Sequence, residues 1–500
     1  MPAPTLSSPD ALRQQLARGA VASAADLAAG LGVSVPTVRR LLMRLSPEEL
    51  LTVGKARRTR YALARSLRGG PALQPVYAVD AGGRLQAMGA LTLLRPEGSW
   101  MDLAATAWPV PEEARDGWWP GLPYPLHQMR PQGYMGRQFA RAEHRRLHVP
   151  ADLAQWSDED ALLAMSQSGS DLSGDLIVGD VACELWLAER AGKTPGAEPM
   201  PEDGLIAHYV AQADQAVASG VAGSSAAGEF PKFTARRALA GAATPHVIVK
   251  FSGREESATV RRWADLLVCE HLALAHAATL PGLRAAKSRV LRGGGRTFLE
   301  VERFDRHGEA GRSPMAALDV IAAAFFVAGP PPDKKRPLGG QRTSRSGGAW
   351  GHLFLGSATV DWPQMAARLG GMGLLDDAQQ AAVQRLWWFG RLIANSDMHA
   401  GNLAFEPEVL VERGGSGGLR LAPAYDMLPM RHAPLPGGEV PQRAPEFSLP
   451  LPVQRAAWLD ACTAALAFWR TAAHDTRISE DFRQVCAAHA QALDRLRERA

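Results

Sequence analysis

Five hundred residues, 46% hydrophobic and 21% charged, provide for two or more domains with cores of their own and exclude a wholly disordered chain. No basic stretch followed by an apolar run opens the sequence. The longest apolar run, near residues 320–329, falls far short of the roughly 20 residues of a membrane span, so a cytoplasmic protein without a membrane partner is expected. Cys183, Cys269, Cys462 and Cys486 are scattered, with no Cys-x-x-Cys pair, and point to neither a zinc site nor a disulfide framework. The net charge of +4 conceals an asymmetry: residues 1–70 hold 11 Lys or Arg against 4 Asp or Glu, and the remainder 44 against 47.

That basic first seventh reads as a separate module, residues 1–68, facing a polyanion. Pro9 to Ala17 suits a helix; Ser23 caps a second over Ala24 to Ala29, with Gly30 as its stop; Ser34 caps a third running to about Leu45. Val35, Val38, Leu41, Leu42 and Leu45 give the third helix an apolar face and leave Thr37, Arg39, Arg40 and Arg44 on the other. Two short strands, Leu50 to Val53 and Thr59 to Leu63, then flank a basic tip. The pattern is a winged helix-turn-helix. Its third helix would read bases while Lys55, Arg57, Arg58 and Arg60 lie against phosphates, making DNA the expected partner. A solvated basic cap or a protein-docking module is the alternative.

Arg65 to Pro75, with Gly69-Gly70-Pro71, has linker composition. From Val76 strands are expected, Val76 to Val79 and Arg84 to Leu94 around a turn, in a small β-rich unit. Trp100, Trp108, Trp118 and Trp119 are assigned to packing. Met135 to Ala154 carries Arg137, Arg141, Arg145, Arg146 and His148, the charge run of a solvated and partly helical face. Helices are expected over 158–165, 180–191 and 205–218, with a Ser/Gly/Asp-rich loop at 166–179.

Further on, four features stand in the order that phosphoryl transfer from ATP requires. Gly220 to Lys232 is a loop of small residues suited to passing close to phosphates, without the Gly-Lys-Ser/Thr ending of a P-loop. His246-Val-Ile-Val-Lys250 reads as a strand ending in a lysine, close to the V-A-I-K strand whose lysine holds the α- and β-phosphates. A helix from Ala258 to Ala278 then sets Glu270 twenty residues after that lysine as the candidate partner of its ammonium, with Asp265 as the alternative. Asp397 and Asn402 have the D-x-x-x-x-N spacing in which the acid orients a hydroxyl and the amide helps hold magnesium. Asp426, twenty-four positions after Asn402, stands where the main metal-holding acid belongs. A hairpin over 290–301, helices over 315–327, 365–369, 377–395 and from Ala456 to the end, a core-poor loop over 330–348 and a tight turn at Gly414 to Gly418 complete the chain.

Ser225-Ala-Ala-Gly-Glu-Phe-Pro-Lys232, Val301-Glu-Arg-Phe-Asp-Arg306, Asn395-Ser-Asp-Met-His-Ala-Gly-Asn402 and Pro423-Ala-Tyr-Asp426 together resemble the HipA family, bacterial serine/threonine kinases best known as toxins of type II toxin-antitoxin systems. The likeness covers roughly residues 75–490. It implies an α+β, bilobal, protein-kinase-like HipA fold behind the winged helix-turn-helix, with a β-rich subdomain over 75–160, a nucleotide lobe over 161–303 and a helical lobe over 304–500. It further implies ATP contacts from Ala227, Gly228, Glu229, Phe230, Pro231 and Lys232; from Lys250; from an interlobe hinge of Glu302, Arg303 and Phe304 braced by Asp305 and Arg306; and from His399, Asn402, Tyr425 and Asp426. Mg2+ would sit on Asn402 and Asp426. Ser225 matches the serine that autophosphorylates in such kinases, and Ser224 stands next to it.

Transfer from magnesium ATP to a serine or threonine hydroxyl of a protein is the expected activity, with Asp397, Asn402 and Lys250 as catalytic residues. An antitoxin is an expected partner, although the fused DNA-binding module departs from the better-known systems, where a separate antitoxin supplies it. Two other readings stay open: a DNA-binding transcriptional regulator whose kinase-like body only senses nucleotide, and a small-molecule kinase.

Overall fold

Helices Pro9–Gly19, Ala24–Leu31 and Val35–Leu42 and the antiparallel ribbon Leu50–Val53/Arg60–Leu63 make up the amino-terminal module in this computed structural model, which describes residues 8–19, 21–194, 198–218, 229–326, 361–410 and 416–500. Ser23 and Asp26 exchange side-chain-to-backbone hydrogen bonds at the start of the second helix, a capping box that satisfies two orphan donors. The stop expected at Gly30 falls two residues later, at Gly32, whose φ of 63° is the left-handed conformation that glycine adopts without steric cost. Gly30 instead lets the first helix approach: a Cβ there would stand 2.4 Å from Gln15 Nε2. Leu12, Leu16, Leu27, Val38, Leu41, Leu42, Leu45 and Leu63 form a core distinct from that of the rest of the chain.

The stretch read as a linker is docked over its first residues. Arg95 N–H donates to the Leu63 carbonyl at 2.9 Å and Arg65 N–H to that of Leu93 at 2.8 Å. Arg65 also pairs with Glu159, and Arg68 with Asp160. Leu67 is buried in the main core. Composition suggests a tether because glycines 69 and 70 dominate it; the backbone before them is held by a strand edge. Beyond it, an antiparallel sheet runs in the order Trp118–Trp119, Ser99–Trp100, Leu85–Leu93, Leu73–Val79, Leu176–Val178. Its last strand lies past residue 160, inside the expected nucleotide lobe. Trp108 and Trp119 are buried in the core, while Trp100 and Trp118 are half-buried.

The next sheet runs Ser288–Gly293, Arg296–Glu302, His246–Phe251, Lys232–Arg236, all antiparallel. Strand alternation puts Val247, Val249 and Phe251 on one face, packed with Tyr209 of helix Glu202–Ala218. Lys250 therefore projects from the other, toward helix Ala258–Ala277. Lys232 lies directly opposite Lys250 in the register and shares its face.

Helices Leu318–Phe326, Trp362–Gly371, Asp377–Leu392, Arg455–His474 and Glu480–Arg497 and the sheet Ala316–Ala317/Ala404–Leu410/Ser416–Leu421 complete the fold. The stretch expected to be helical from Ala456 to the end holds two helices, and Ser479 between them donates its N–H to Asp265 at 2.7 Å. Ser225, Ala227, Gly228, the 330–348 loop and, of the Gly414 to Gly418 turn, Gly414 and Gly415 lie outside the described residues. Among the described residues no helix is long and apolar enough to cross a membrane.

Candidate active site

The helix expected to run to Asn395 ends at Leu392. Ala394 turns left-handed at φ 58°, and Asn395 N–H reaches back to the Gly390 carbonyl at 2.9 Å, throwing the chain into the Asp397 loop. Asp426 is also left-handed, at φ 53°. Such a conformation costs a residue with a Cβ on the order of 1–3 kcal/mol and persists where surrounding structure imposes it, so two of them at one site mark imposed geometry.

The loop is tied internally. Asp397 N–H donates to Asn395 Oδ1 at 2.9 Å, and Asn402 Nδ2 donates to the Asp397 carbonyl at 2.8 Å. The Tyr425 hydroxyl donates to the Gly401 carbonyl at 2.8 Å, joining the loop to the segment that carries Asp426. Both contacts use the Asp397 backbone, and its side chain is 49% exposed, half in and half out of solvent. His399 Nδ1 accepts from Gly401 N–H at 3.1 Å, and its Nε2 stands 3.9 Å from Asp397 Oδ1, beyond a hydrogen bond.

Opposite lies Lys250. Its ammonium donates to both oxygens of Glu270, at 2.7 and 2.9 Å, and to Asp426. Glu270, and not Asp265, is therefore the helix acid that meets it; Asp265 is taken by Ser479. Burial opposes the Lys250 charge, but Asp426 and Glu270 outweigh it and hold the ammonium above its usual range. Burial pushes Glu270 up to about 7 against the pull of Lys250. For Asp426 the balance reverses: burial is outweighed by Lys250 and then Lys232, which bring the carboxyl down to about 2. At Asp397, burial and, after the opposing His399, Asp426 raise the pKa.

The remaining candidates divide. Lys232 pairs with Glu229 at 3.1 Å, and Glu229 also accepts from Tyr134 N–H at 3.0 Å and Arg137 at 2.8 Å, at the start of helix Gly133–Leu147. Phe230 turns into the core against Trp263, ring centroids 4.7 Å apart, leaving its side chain no access to a ligand. Pro231 is buried beside it. In the hinge stretch, Glu302 binds Arg237 at 2.8 Å, and the N–H groups of Glu302 and Arg303 are consumed by the carbonyls of Lys287 and His246. Phe304 stacks on Tyr425 at 5.8 Å. Arg303 and Arg306 share Asp171 and Asp305 in a buried cluster.

Two contributors escape a reading of the sequence. Asp171, within a loop taken as Ser/Gly/Asp-rich, is the brace for Arg303 and Arg306. Asp319, ahead of an apolar helix, brings its Oδ2 to 3.8 Å from where a Cβ on Gly401 would stand, beneath the catalytic-loop candidate. Only the acid at a helix start hints at the second; the first has a purely tertiary partner.

Although burial opposes them, the paired guanidiniums hold the carboxyls of Asp171 and Asp305 well below the usual carboxylate range. A depressed folded-state value contributes stability that is complete above the unfolded value of 3.8 and disappears as pH falls below it. In urea titrations from pH 5 to pH 2, Asp171→Asn is therefore expected to lose less stability on acidification than the unaltered protein. Parallel curves would remove Asp171 from the acid response.

A sheet lysine paired to a helix glutamate, set against a helical lobe that supplies an acid-bearing loop and a second acid, defines a two-lobed α+β fold of kinase-like class. Residues 224–495 match the family described as HipA-like C-terminal domain, and residues 71–187 that described as YjjJ-like toxin, middle domain. Toxin YjjJ of Escherichia coli (strain K12) is 34% identical over 481 residues, spanning 95% of this chain and 96% of its own length. The chain belongs to the HipA-like toxin family. Two solved structures are more distant. A chain of the Shewanella oneidensis MR-1 toxin-antitoxin complex of HipA, HipB and operator DNA is 16% identical, with a TM-score of 0.47 over 85% of this chain and 97% of that one. The Helicobacter pylori proinflammatory kinase CtkA is 10% identical, with a TM-score of 0.31 over 54% and 92%.

Proposed function

We propose that this chain is a toxin-type serine/threonine protein kinase that transfers phosphate from ATP, carrying its own DNA-binding module. The observation that carries the reading is Lys250 joined to both Glu270 and Asp426, residues 20 and 176 positions away. Buried strand lysines of this kind hold nucleotide phosphates, and the glutamate fixes the ammonium. Lys250 grips the nucleotide, Asp397 orients or deprotonates the acceptor hydroxyl, and Lys232, on the same sheet face, adds a second cation. Autophosphorylation of Ser225 belongs to the proposal through the family resemblance; it would add about −1.5 to −2 charge beside the phosphate site.

The residues suit Mg2+. Asn402 spends its amide nitrogen on Asp397, which leaves its oxygen as the free donor, and Asp426 stays ionised. Magnesium needs one or two protein oxygens beside substrate phosphates, and when bound it would neutralise phosphate charge. A lysate incubated with labelled ATP and the protein should yield labelled phosphoserine or phosphothreonine. Label found only on small molecules would favour the small-molecule kinase instead, and none at all the nucleotide-sensing regulator.

DNA binding by residues 1–68 is supported by Arg39, Arg40, Arg44, Lys55, Arg57 and Arg58, exposed on the third helix, the turn after it and the wing and, among the described residues, without an ion pair to an acid. Thr37 and Arg60 are half-buried beside them, Thr37 touching Ser34 and Arg40. Each phosphate neutralised contributes about −0.9 to the slope of log affinity against log salt. Exchanging Lys55, Arg57 and Arg58 for Gln should flatten that slope by roughly this amount for every phosphate no longer engaged, measured by anisotropy on duplexes selected from a random pool. An unchanged slope would take the wing off the DNA.

A further inference from the structure

Helix Asp180–Arg190 of the middle unit and the hairpin Arg306–Arg312 enclose a cavity of about 520 Å3. Neither Lys250, Asp397, Asn402 nor Asp426 lines it, so it is separate from the active-site cleft. A smaller cavity of about 270 Å3 adjoins it, sharing Asp171, Glu189, Arg236 and His246.

Its charge is the feature that calls for a ligand. Arg303 and Arg306 take up both carboxylates of the buried cluster, Asp171 and Asp305, at 2.8 to 3.0 Å. Arg236 is paired with Glu189 and Glu309. Arg312 is the guanidinium left over. It is 4% exposed, its Nη2 donates to the Ser170 carbonyl, and its Nη1 is buried with no hydrogen-bond partner. It makes no ion pair among the described residues. Two further carboxyls feel its charge, and burial raises both: Glu189 upward from its ordinary value, and Asp175 to about 6. Leaving a buried charged donor unsatisfied costs more than leaving a neutral one, so such a group is ordinarily met by an anion or water. Arg190, across Trp186, donates to the Gly83 carbonyl and also makes no ion pair among the described residues; the two guanidiniums lie 5.5 and 5.9 Å from the Trp186 ring. Burial first, and then Arg306, pull the Arg312 guanidinium down to about 9, which still leaves it charged at neutral pH.

We infer that this cavity binds a small molecule carrying an oxyanion, phosphate or carboxylate, which accepts from Arg312 Nη1 with Arg190 as the second cation. Such an occupant would join the middle unit to the hairpin that follows the Arg303–Asp305 hinge stretch. The site is independent of the kinase reading and stands or falls separately.

The test is thermal unfolding of the full chain titrated with sodium phosphate or with sodium acetate, against sodium chloride at matched ionic strength. A saturable rise over chloride in either arm is expected, the responding arm naming the ligand class. The rise should persist in Lys250→Met, which disables the phosphate-gripping cleft, and require about tenfold or more anion in Arg312→Gln, the size of one charge-assisted hydrogen bond. No saturable rise in either arm, or an equal one in Arg312→Gln, overturns the inference. Should that variant not fold, unaltered crystals soaked in tungstate decide: an anomalous peak within hydrogen-bond reach of Arg312 Nη1 supports the site, and its absence overturns it.

Discussion

Asp397→Asn is expected to slow phosphoryl transfer by about 10²- to 10⁴-fold while leaving the fold and nucleotide affinity in place, the range lost when a positioned general base is removed. The exchange is nearly isosteric. What the loop draws from this residue is backbone: its N–H to Asn395 and its carbonyl to Asn402. Neither bond changes when the half-exposed carboxylate becomes an amide, so a stability difference beyond a few tenths of a kcal/mol is not expected. The pH dependence carries independent information. Burial and Asp426 raise the Asp397 pKa above 3.8, so the base is lost to protonation earlier on acidification than an ordinary aspartate would be. Single-turnover rates should thus fall as pH drops toward a midpoint above 3.8, and that limb should be missing from the residual activity of Asp397→Asn. Equal rates for both proteins at neutral pH would remove Asp397 from the chemistry.

Local signals in the sequence carry much of the architecture. The capped third helix with its Val38/Leu41/Leu42 stripe and the β-branched run into Lys250 are both set by residues within one turn or one strand, and both stand where periodicity puts them, although the helix ends at Leu42, short of the Leu45 expected. Boundaries decided by tertiary contact are less legible. Gly30 is a helix stop by local rule, yet the second helix continues to Leu31, and Gly32 supplies the left-handed turn. Arg65 to Leu67 precede two glycines and read as tether, although a strand edge and Glu159 hold them. The short strand Leu176–Val178 has only three residues and pairs with a partner about a hundred positions earlier, which no local pattern reports.

The same division runs through the site. Spacing singles out Asp397, Asn402 and Asp426, and the Lys250–Glu270 interval agrees with a strand followed by a helix on its open face. Glu229 and Arg137 each stand out in the sequence, one as a loop acid and one as part of a basic face, but their union at 2.8 Å is a product of the fold. It ties the segment leading into the sheet that bears Lys250 to the start of helix Gly133–Leu147, where a carboxylate is stabilised by free N–H groups and the helix dipole.

Lys250→Met should be the most damaging single exchange for both activity and stability. Glu270 is 1% exposed, and Lys250 is the cation at hydrogen-bond distance from it. Removing one partner of a buried pair costs about 3–5 kcal/mol, because the other charge stays desolvated. Glu270 can escape that cost by taking a proton, which burial already favours. In the variant its folded-state pKa therefore stands above the unfolded value of 4.5, so the penalty is small below that pH and grows as pH rises through the folded value. Urea unfolding should show the variant far weaker than the unaltered protein at pH 8 and much closer to it at pH 5. Adding Glu270→Gln should restore a large part of the loss at pH 8, since an amide carries no charge to strand. A deficit equal at both pH values, or untouched by Glu270→Gln, would mean that the pair does not govern the stability of this lobe.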